Sequence, residues 1–174
     1  MKKLSLILIS LIIIILLNFS FFFKDEMNIA KGKAIVIDGD TIKINGERIR
    51  FGGIDAPETN YRGKKQICYL DEVEIVCGKI STEKLIEKIG VSDVSCEREK
   101  NKDKNNRTIA ECFVNNESLS KFMVRNGYAF DFVKYSKKKY ALDERYAKDN
   151  KLGLWTMKFE YPWEWRKKIR EATK

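Results

Sequence analysis

Closely spaced β-strand patterns between residues 33 and 54 constrain the fold of this chain more than any other feature. Three runs with apolar alternation, KAIVID, TIKI and ERIRFGGI, are separated by Asp38-Gly39 and Asn45-Gly46. These dipeptides favour tight turns because aspartate, asparagine and glycine tolerate positive φ angles. The region is therefore predicted to be a strand-and-turn unit, with Asn45-Gly46 as the stronger hairpin signal.

The rest of the chain alternates between helical and strand patterns. Helical apolar spacing occupies ISTEKLIEKIG (80–90), ESLSKFMVRNG (117–127) and YALDERYAKDNKLG (140–153). In the third helix, Leu142, Tyr146 and Leu152 are predicted to form the apolar face. VSDVSCERE and RTIAECFV are predicted strands around the charged loop KNKDKNN, and residues 59–78 are predicted to be an irregular excursion. The pattern indicates one α+β, mainly β domain: a small β-barrel with helices packed on it.

The first 26 residues are predicted to lie outside this domain, which spans residues 27–174. Lys2 and Lys3 precede twenty mostly apolar residues, a run long for a signal peptide and just long enough to span a bilayer. Since no small-x-small cleavage site follows, an uncleaved membrane anchor is slightly favoured over a cleaved signal, and a buried core helix is the third reading. The lysines favour a cytoplasmic amino terminus. The domain is therefore expected to be extracytoplasmic, either anchored at the membrane or secreted or periplasmic.

Charge and composition limit the kinds of binding partner and of catalytic group that this chain can have. The formal net charge is +9, and histidine is absent. A basic domain commonly meets phosphate groups or anionic lipid, and charge alone does not choose between them. The absence of histidine excludes imidazole as a general base, as the activator of a serine nucleophile and as a metal ligand. Catalysis would have to use carboxylates, basic residues, hydroxyls, thiols or a hard metal ion.

The four cysteines are Cys68, Cys77, Cys96 and Cys112. None forms a Cys-x-x-Cys pair, which argues against a zinc site. In an exported chain an even number of cysteines favours disulfides, and four cysteines allow three pairings. The preferred pairing is two local bridges, Cys68–Cys77 and Cys96–Cys112, with free buried thiols as the alternative.

A candidate catalytic set consists of Asp40, Arg50, Asp55, Glu58 and Arg107. Two neighbouring aspartates repel unless a proton or a hard cation neutralises them, and calcium suits an oxygen-rich site without imidazole. A third carboxylate, Glu58, could take a proton from an attacking water. Two arginines can bind a phosphate bidentately and stabilise the charge that develops on it. Together these residues would make a phosphodiesterase, whereas each alone is more simply explained as a turn residue or part of a solvated face.

The spacing permits this site only if the chain bends. A two-residue turn at Asn45-Gly46 sets Asp40 opposite Phe51, so that Asp55 would lie roughly 13 Å further along an ideal strand. A bulge or bend at Gly52-Gly53 could return Asp55 towards Asp40.

Five motifs resemble those of the thermonuclease family, the staphylococcal (micrococcal) nuclease-like proteins. In chain order they are VIDGDT, RIRFGGIDAPE, DKNNRTIAEC, MVRNGYA and GLWTMKFEYPWEWR, and the resemblance covers about residues 33–168. It implies an OB-fold, that is, a five-stranded β-barrel with three helices. It also implies a calcium-dependent endonuclease that cleaves DNA and RNA between phosphorus and the 5′ oxygen, leaving 3′-phosphate ends. We further expect a monomer that prefers single-stranded substrates.

By matching position, the resemblance implies a role for each carboxylate. Asp40 and Asp55 match the two carboxylate ligands of calcium, and Ala56 falls where the family's ligand is a backbone carbonyl. Asp38 matches an aspartate that lies beside the metal without binding it directly. Glu58 matches the general base that activates the attacking water.

The resemblance also assigns the phosphate and nucleotide contacts. Arg50 and Arg107 match the two arginines that bind the scissile phosphate and its transition state. Tyr135 matches a tyrosine near the bound nucleotide. Asn105 stands where many relatives have a tyrosine, so one aromatic nucleotide contact is missing and base preference is expected to differ.

Two other functions compete with the nuclease. A non-catalytic OB module could bind nucleic acid through a basic groove and aromatic side chains alone. A membrane-surface protein could use the basic face on anionic lipid. Because all five candidate catalytic positions are filled, the nuclease is preferred over both.

Overall fold

A computed structural model describes residues 28–103 and 105–173 of the chain. The predicted leader, residues 1–26, lies outside the described residues. Within the two described ranges, no helix is long and apolar enough to cross a membrane.

The described chain contains eleven short strands and five helices. The strands are β1 (Ile29–Gly32), β2 (Ala34–Asp38), β3 (Thr41–Ile44), β4 (Glu47–Phe51), β5 (Ile54–Asp55), β6 (Ile67–Leu70), β7 (Val73–Val76), β8 (Val94–Lys102), β9 (Thr108–Val114), β10 (Glu117–Ser118) and β11 (Phe130–Asp131). The helices are α1 (Cys77–Ile89), α2 (Leu119–Arg125), α3 (Val133–Ser136), α4 (Ala141–Asp149) and α5 (Pro162–Ala172), with a 3₁₀ turn at Gly153–Thr156. Helices α1, α2 and α4 correspond to the three predicted helices, and α3 and α5 are additional.

One curled sheet forms the centre of the fold. Its strand order is β1-β8-β9-β4-β3-β2, with β10 added beside β9. All its pairings are antiparallel except β4 with β9. Strands β1 and β2 are separated in sequence by Lys33 alone yet stand at opposite ends of this order, so the sheet must curl until its ends approach. The predicted OB-like α+β architecture is confirmed, with seven strands in the described sheet instead of five and no ladder closing it between β1 and β2.

The predicted hairpin at Asn45-Gly46 is confirmed. Both residues have positive φ, 49° and 88°, and Ile44 pairs with Glu47 across the turn. This register turns the apolar residues of β3 and β4 inward, because side chains alternate between the two faces of a strand. Phe51 N donates to Asp40 O at 2.8 Å, which places Asp40 opposite Phe51 as the turn geometry predicts.

Both predicted disulfides are present. Cys96 and Cys112 lie directly opposite each other on β8 and β9, with both side chains in the main core. Cys68 in β6 is bonded to Cys77, the first residue of α1. The segment predicted to be irregular therefore contains a hairpin, β6–β7, that the second bridge fastens to α1.

The apolar face predicted for the third helix is wrong. Leu142 is 76% exposed and Tyr146 is 42% exposed, whereas Ala147 is buried. Helix α4 packs against α2, and the small side chain of Ala147 faces the interior. Tyr146 instead lies under the guanidinium of Arg125, whose Cζ is 3.8 Å from the ring centroid.

Candidate active site

The two aspartates predicted as metal ligands meet at one guanidinium. Arg50 Nη1 is 2.6 Å from Asp40 Oδ1, and Arg50 Nη2 is 2.6 Å from Asp55 Oδ1. Asp40 is 2% exposed and Asp55 is fully buried. The chain bends between Arg50 and Asp55 at Gly52-Gly53, where Gly53 has a φ of 75° that favours glycine. The predicted bend therefore exists and brings the two carboxylates together.

The carboxylate of Asp40 is held by two further groups besides Arg50. Thr41 Oγ1 donates to Asp40 Oδ1 at 2.8 Å, and Ala56 N donates to Asp40 Oδ2 at 3.0 Å. Burial would raise the pKa of Asp40, but Arg50 and the Ala56 N–H outweigh burial and lower it. Burial and the neighbouring Asp40 carboxylate raise the pKa of Asp38 to about 7. The turn thus holds Asp40, whose pKa is lowered, beside Asp38, whose pKa is raised towards neutral pH.

A second arginine, which the sequence analysis did not place in the site, binds Asp55 from another side and also binds Glu58. Arg166 on α5 is 2.6 Å from Asp55 Oδ2 through Nη2 and 2.6 Å from Glu58 Oε1 through Nη1. Its Nη1 also lies 3.1 Å from Asp55 Oδ1. The arginine belongs to the PWEWR motif, but no local spacing connects it to Asp55, because 111 positions separate the two residues.

Asp40, Asp55 and Glu58, with Arg50 and Arg166, form the carboxylate cluster, and Glu58 lies at its edge. Its side chain is 18% exposed, so that it borders both the buried carboxylates and solvent. Gln66, fully buried, accepts from Glu58 N at 3.2 Å and donates to Glu160 O at 2.8 Å, which fixes the backbone of the Glu58 loop. Burial raises the pKa of Glu58, and Arg166 opposes that shift.

The start of α1 packs directly on both loops of the site. A Cβ at Gly78 would lie 2.3 Å from Glu58 C, and a Cβ at Gly39 would lie 2.6 Å from Ser81 Cβ and 2.8 Å from Ala56 Cβ. Real Cβ atoms do not approach other atoms so closely. Helix α1 therefore sets the separation between the Asp38–Asp40 turn and the loop that carries Glu58.

Arg107 is not in contact with the carboxylate cluster among the described residues. Its Nε and Nη2 lie 2.7 and 2.6 Å from Asp103 Oδ2. Arg107 directly precedes β9, and the parallel register pairs Arg50 with Ile109, two positions further on. Strand alternation therefore directs Arg50 and Arg107 to the same face, roughly 7 Å apart along the strand.

Tyr135 lies beside the bend that precedes Asp55. It is 59% exposed and packs edge-on against Phe132, with ring centroids 4.9 Å apart. Phe132 N donates to Gly53 O at 2.9 Å. Tyr135 therefore lies near the bend at Gly53, because its neighbour Phe132 is bonded to that bend, and it is accessible to a ligand. In the part of the chain that the structure describes, Tyr135 shows no contact with the carboxylates.

The donor set suits a hard divalent cation. Three carboxylates, those of Asp40, Asp55 and Glu58, are paired with two guanidinium groups, and Ala56 N donates to Asp40. Oxygen ligands and an excess of negative charge are what calcium and magnesium prefer. Within residues 28–103 and 105–173, however, no three His, Cys, Asp or Glu side chains converge closely enough to hold a metal by themselves. The paired carboxylates of Asp40 and Asp55 are oxygen ligands of the predicted kind, and a metal held by them together with the Ala56 carbonyl stays a prediction.

Comparison with known proteins identifies the family of this chain. A model of the family described as staphylococcal nuclease homologue matches residues 48–157. The succinoglycan biosynthesis protein ExoI of Rhizobium meliloti (strain 1021) is 33% identical over 75% of this chain and 66% of its own length. The probable staphylococcal-like nuclease CAN2 of Oryza sativa subsp. japonica is 33% identical over 80% of this chain and 34% of its own length.

A second plant nuclease is also similar to this chain. The staphylococcal-like nuclease CAN1 of Arabidopsis thaliana is 29% identical over 71% of this chain and 34% of its own length. This chain thus spans about a third of the plant relatives and about two thirds of the bacterial one. The match to the family model, over more than half of the residues, shows that the chain belongs to the staphylococcal nuclease homologue family.

Proposed function

We propose that this protein is an exported, calcium-dependent endonuclease that hydrolyses phosphodiester bonds of DNA and RNA. Family membership supports the nuclease role. The observation that carries the finer proposal is the joining of Asp40 and Asp55 by Arg50, with Glu58 next to them. The carboxylates of Asp40 and Asp55 would provide oxygen ligands for the metal, and the Arg50 guanidinium would provide a positive charge for the phosphate. The partly exposed carboxylate of Glu58 lies beside them.

Arg50 and Arg107 would hold the scissile phosphate. The side chain of Arg50 is 16% exposed while it is bound to two carboxylates, so it is not sealed completely from solvent. Arg107 reaches the same face of the sheet by register. As the phosphate is attacked, negative charge builds on its oxygens, and fixed guanidinium groups stabilise that charge without reorganisation.

Glu58 would act as the general base. It would take a proton from the attacking water as the water oxygen bonds to phosphorus and the bond between phosphorus and the 5′ oxygen breaks. The departing oxygen would take a proton from solvent, which leaves a 3′-phosphate and a 5′-hydroxyl. Burial raises the pKa of Glu58, which brings its basicity nearer to the working pH. Gln66 would keep the Glu58 loop from moving away during the reaction.

Asp40, Asp55 and the Ala56 carbonyl are the groups that would hold calcium, with Asp38 beside them. When bound, the cation would supply positive charge at the phosphate and lower the repulsion among the carboxylates. The raised pKa of Asp38 would let this residue be neutral near pH 7, and the negative charge of the turn would then lie on Asp40.

The substrate is proposed to be single-stranded DNA and RNA. Tyr135, exposed beside the bend, would stack on a base near the scissile phosphate. Asn105 offers no such ring, so we expect weaker discrimination between bases on that side. We further propose that the domain works as a monomer outside the cytoplasm, held at the membrane if the leader is retained.

A cleavage assay tests this function. The purified protein is incubated with single-stranded DNA and with RNA in millimolar calcium, and again with excess chelator. We expect cleavage to 3′-phosphate ends that stops on chelation. Binding without cleavage at any calcium concentration would instead support a non-catalytic nucleic-acid-binding module.

A further inference from the structure

We propose that Arg166 competes with the divalent cation for Asp55, so that this arginine sets the cation affinity of the site. The inference rests on the proposed function, because it concerns the same carboxylates. It goes beyond that function by giving a role to the carboxy-terminal helix.

The contacts of Arg166 leave Asp55 with little capacity for another cation. Arg166 is bonded to both oxygens of Asp55, at 2.6 Å to Oδ2 and 3.1 Å to Oδ1, while Arg50 occupies Oδ1 as well. A cation that uses Asp55 must displace or weaken these bonds, because the same lone pairs serve both. Arg50 also belongs to the proposed phosphate contacts, whereas Arg166 is paired with Asp55 and Glu58 and has no proposed contact with the substrate.

Arg166 is held in this place by the packing of α5. Trp163, one helical turn earlier, is stacked between Phe132 at 5.0 Å and Tyr161 at 4.6 Å. The side chain of Arg166 is 16% exposed, so its charge is poorly screened by solvent. Pre-ordering of this kind lowers the entropic cost of each Arg166–carboxylate bond and strengthens the competition.

Calcium titration of the full chain in detergent, followed by calorimetry, tests the proposal. The variants are Arg166→Gln, Arg166→Lys and the control Arg170→Gln, which removes the same charge one turn further along α5. Arg170 is hydrogen-bonded to Tyr61 and, among the described residues, forms no ion pair with Asp40, Asp55 or Glu58. We expect Arg166→Gln to bind calcium about tenfold or more tightly than Arg170→Gln. A lysine ammonium keeps the positive charge but lacks the planar fork that spans Asp55 and Glu58, so Arg166→Lys should tighten binding by a smaller factor of about threefold.

Each outcome bears on the proposal. Tighter binding by Arg166→Gln than by Arg170→Gln supports it. Equal or weaker binding overturns it while leaving the calcium site intact, since wild type would still bind. If no variant binds calcium, both this proposal and the calcium dependence of the nuclease are overturned. Should Arg166→Gln fail to fold, as judged by thermal unfolding, unchanged affinity in Arg166→Lys overturns the proposal.

Discussion

Replacing Gly78 with alanine should have two opposite effects on stability: it favours the helix, but it creates a clash with the backbone of Glu58. Gly78 is the second residue of α1, and alanine is favoured over glycine within helices by roughly 0.5–1 kcal/mol. The new Cβ, however, would lie 2.3 Å from Glu58 C and 2.4 Å from Glu58 O, against 3.4–4 Å for ordinary contact. The Glu58 loop or the helix must therefore move by about 1 Å. Overpacking of this kind costs roughly 1–3 kcal/mol, so we expect a net destabilisation of about 1–2 kcal/mol.

Thermal unfolding and single-stranded DNA cleavage measure the two consequences. A loss of this size corresponds to a decrease in unfolding midpoint of about 2–8 °C for a chain of this length. Moving Glu58 by about 1 Å should lower kcat by up to about 100-fold. Gly90→Ala, at the other end of α1, is the matched control: a φ of 54° with a ψ of −128° is strained for alanine, so it should cost roughly 1–3 kcal/mol and leave kcat unchanged. A more stable Gly78→Ala variant with normal kcat would refute the reasoning.

Three further predictions concern the sheet, a loop and the nucleotide contact. Replacing both Cys96 and Cys112 with alanine should lower the unfolding free energy by about 3 kcal/mol in urea denaturation, because the bridge spans 16 positions; an unchanged midpoint would contradict this. Bonds from Arg107 outweigh burial and hold the pKa of Asp103 below its usual 3.8, so its stabilisation is complete above pH 3.8 and disappears as pH falls through the lower folded value. Asp103→Asn should therefore be less stable than wild type by about 2 kcal/mol at pH 7, and the gap should close in acid-dependent denaturation curves; a gap that persists at pH 2 would count against it. Tyr135→Ala should raise KM for single-stranded DNA with little change in kcat, and Tyr135→Phe should behave like wild type; a loss confined to kcat would contradict a stacking role.

Local turn chemistry explains why the centre of the fold could be predicted. Asn45-Gly46 fixes a hairpin register by itself, and the glycines at 52 and 53 mark the bend that returns Asp55 to Asp40. The disulfide pairing was also predictable, since each bridge closes a short segment. These features depend on residues that are close in sequence.

The parts that were not predicted depend on distant contacts. Arg166 reaches Glu58 across 108 positions, and nothing in the local pattern of PWEWR indicates which way its side chain points. Likewise, Gly78 is an ordinary helix residue until the Glu58 backbone packs on it. The incorrect prediction of the buried face of α4 has a similar cause. Leu142 and Tyr146 have larger apolar side chains than Ala147, but tertiary packing places the smaller side chain in the interior.

The rate of single-stranded DNA cleavage by Glu58→Gln, at saturating calcium, tests the proposed chemistry most directly. Glutamine keeps the shape of the side chain and can still accept from Arg166, but it cannot take a proton. We predict a loss in kcat of about 100-fold or more, with an unfolding midpoint close to that of wild type. Wild-type kcat in this variant would contradict the assignment of Glu58 as the base and of this carboxylate cluster as the active site.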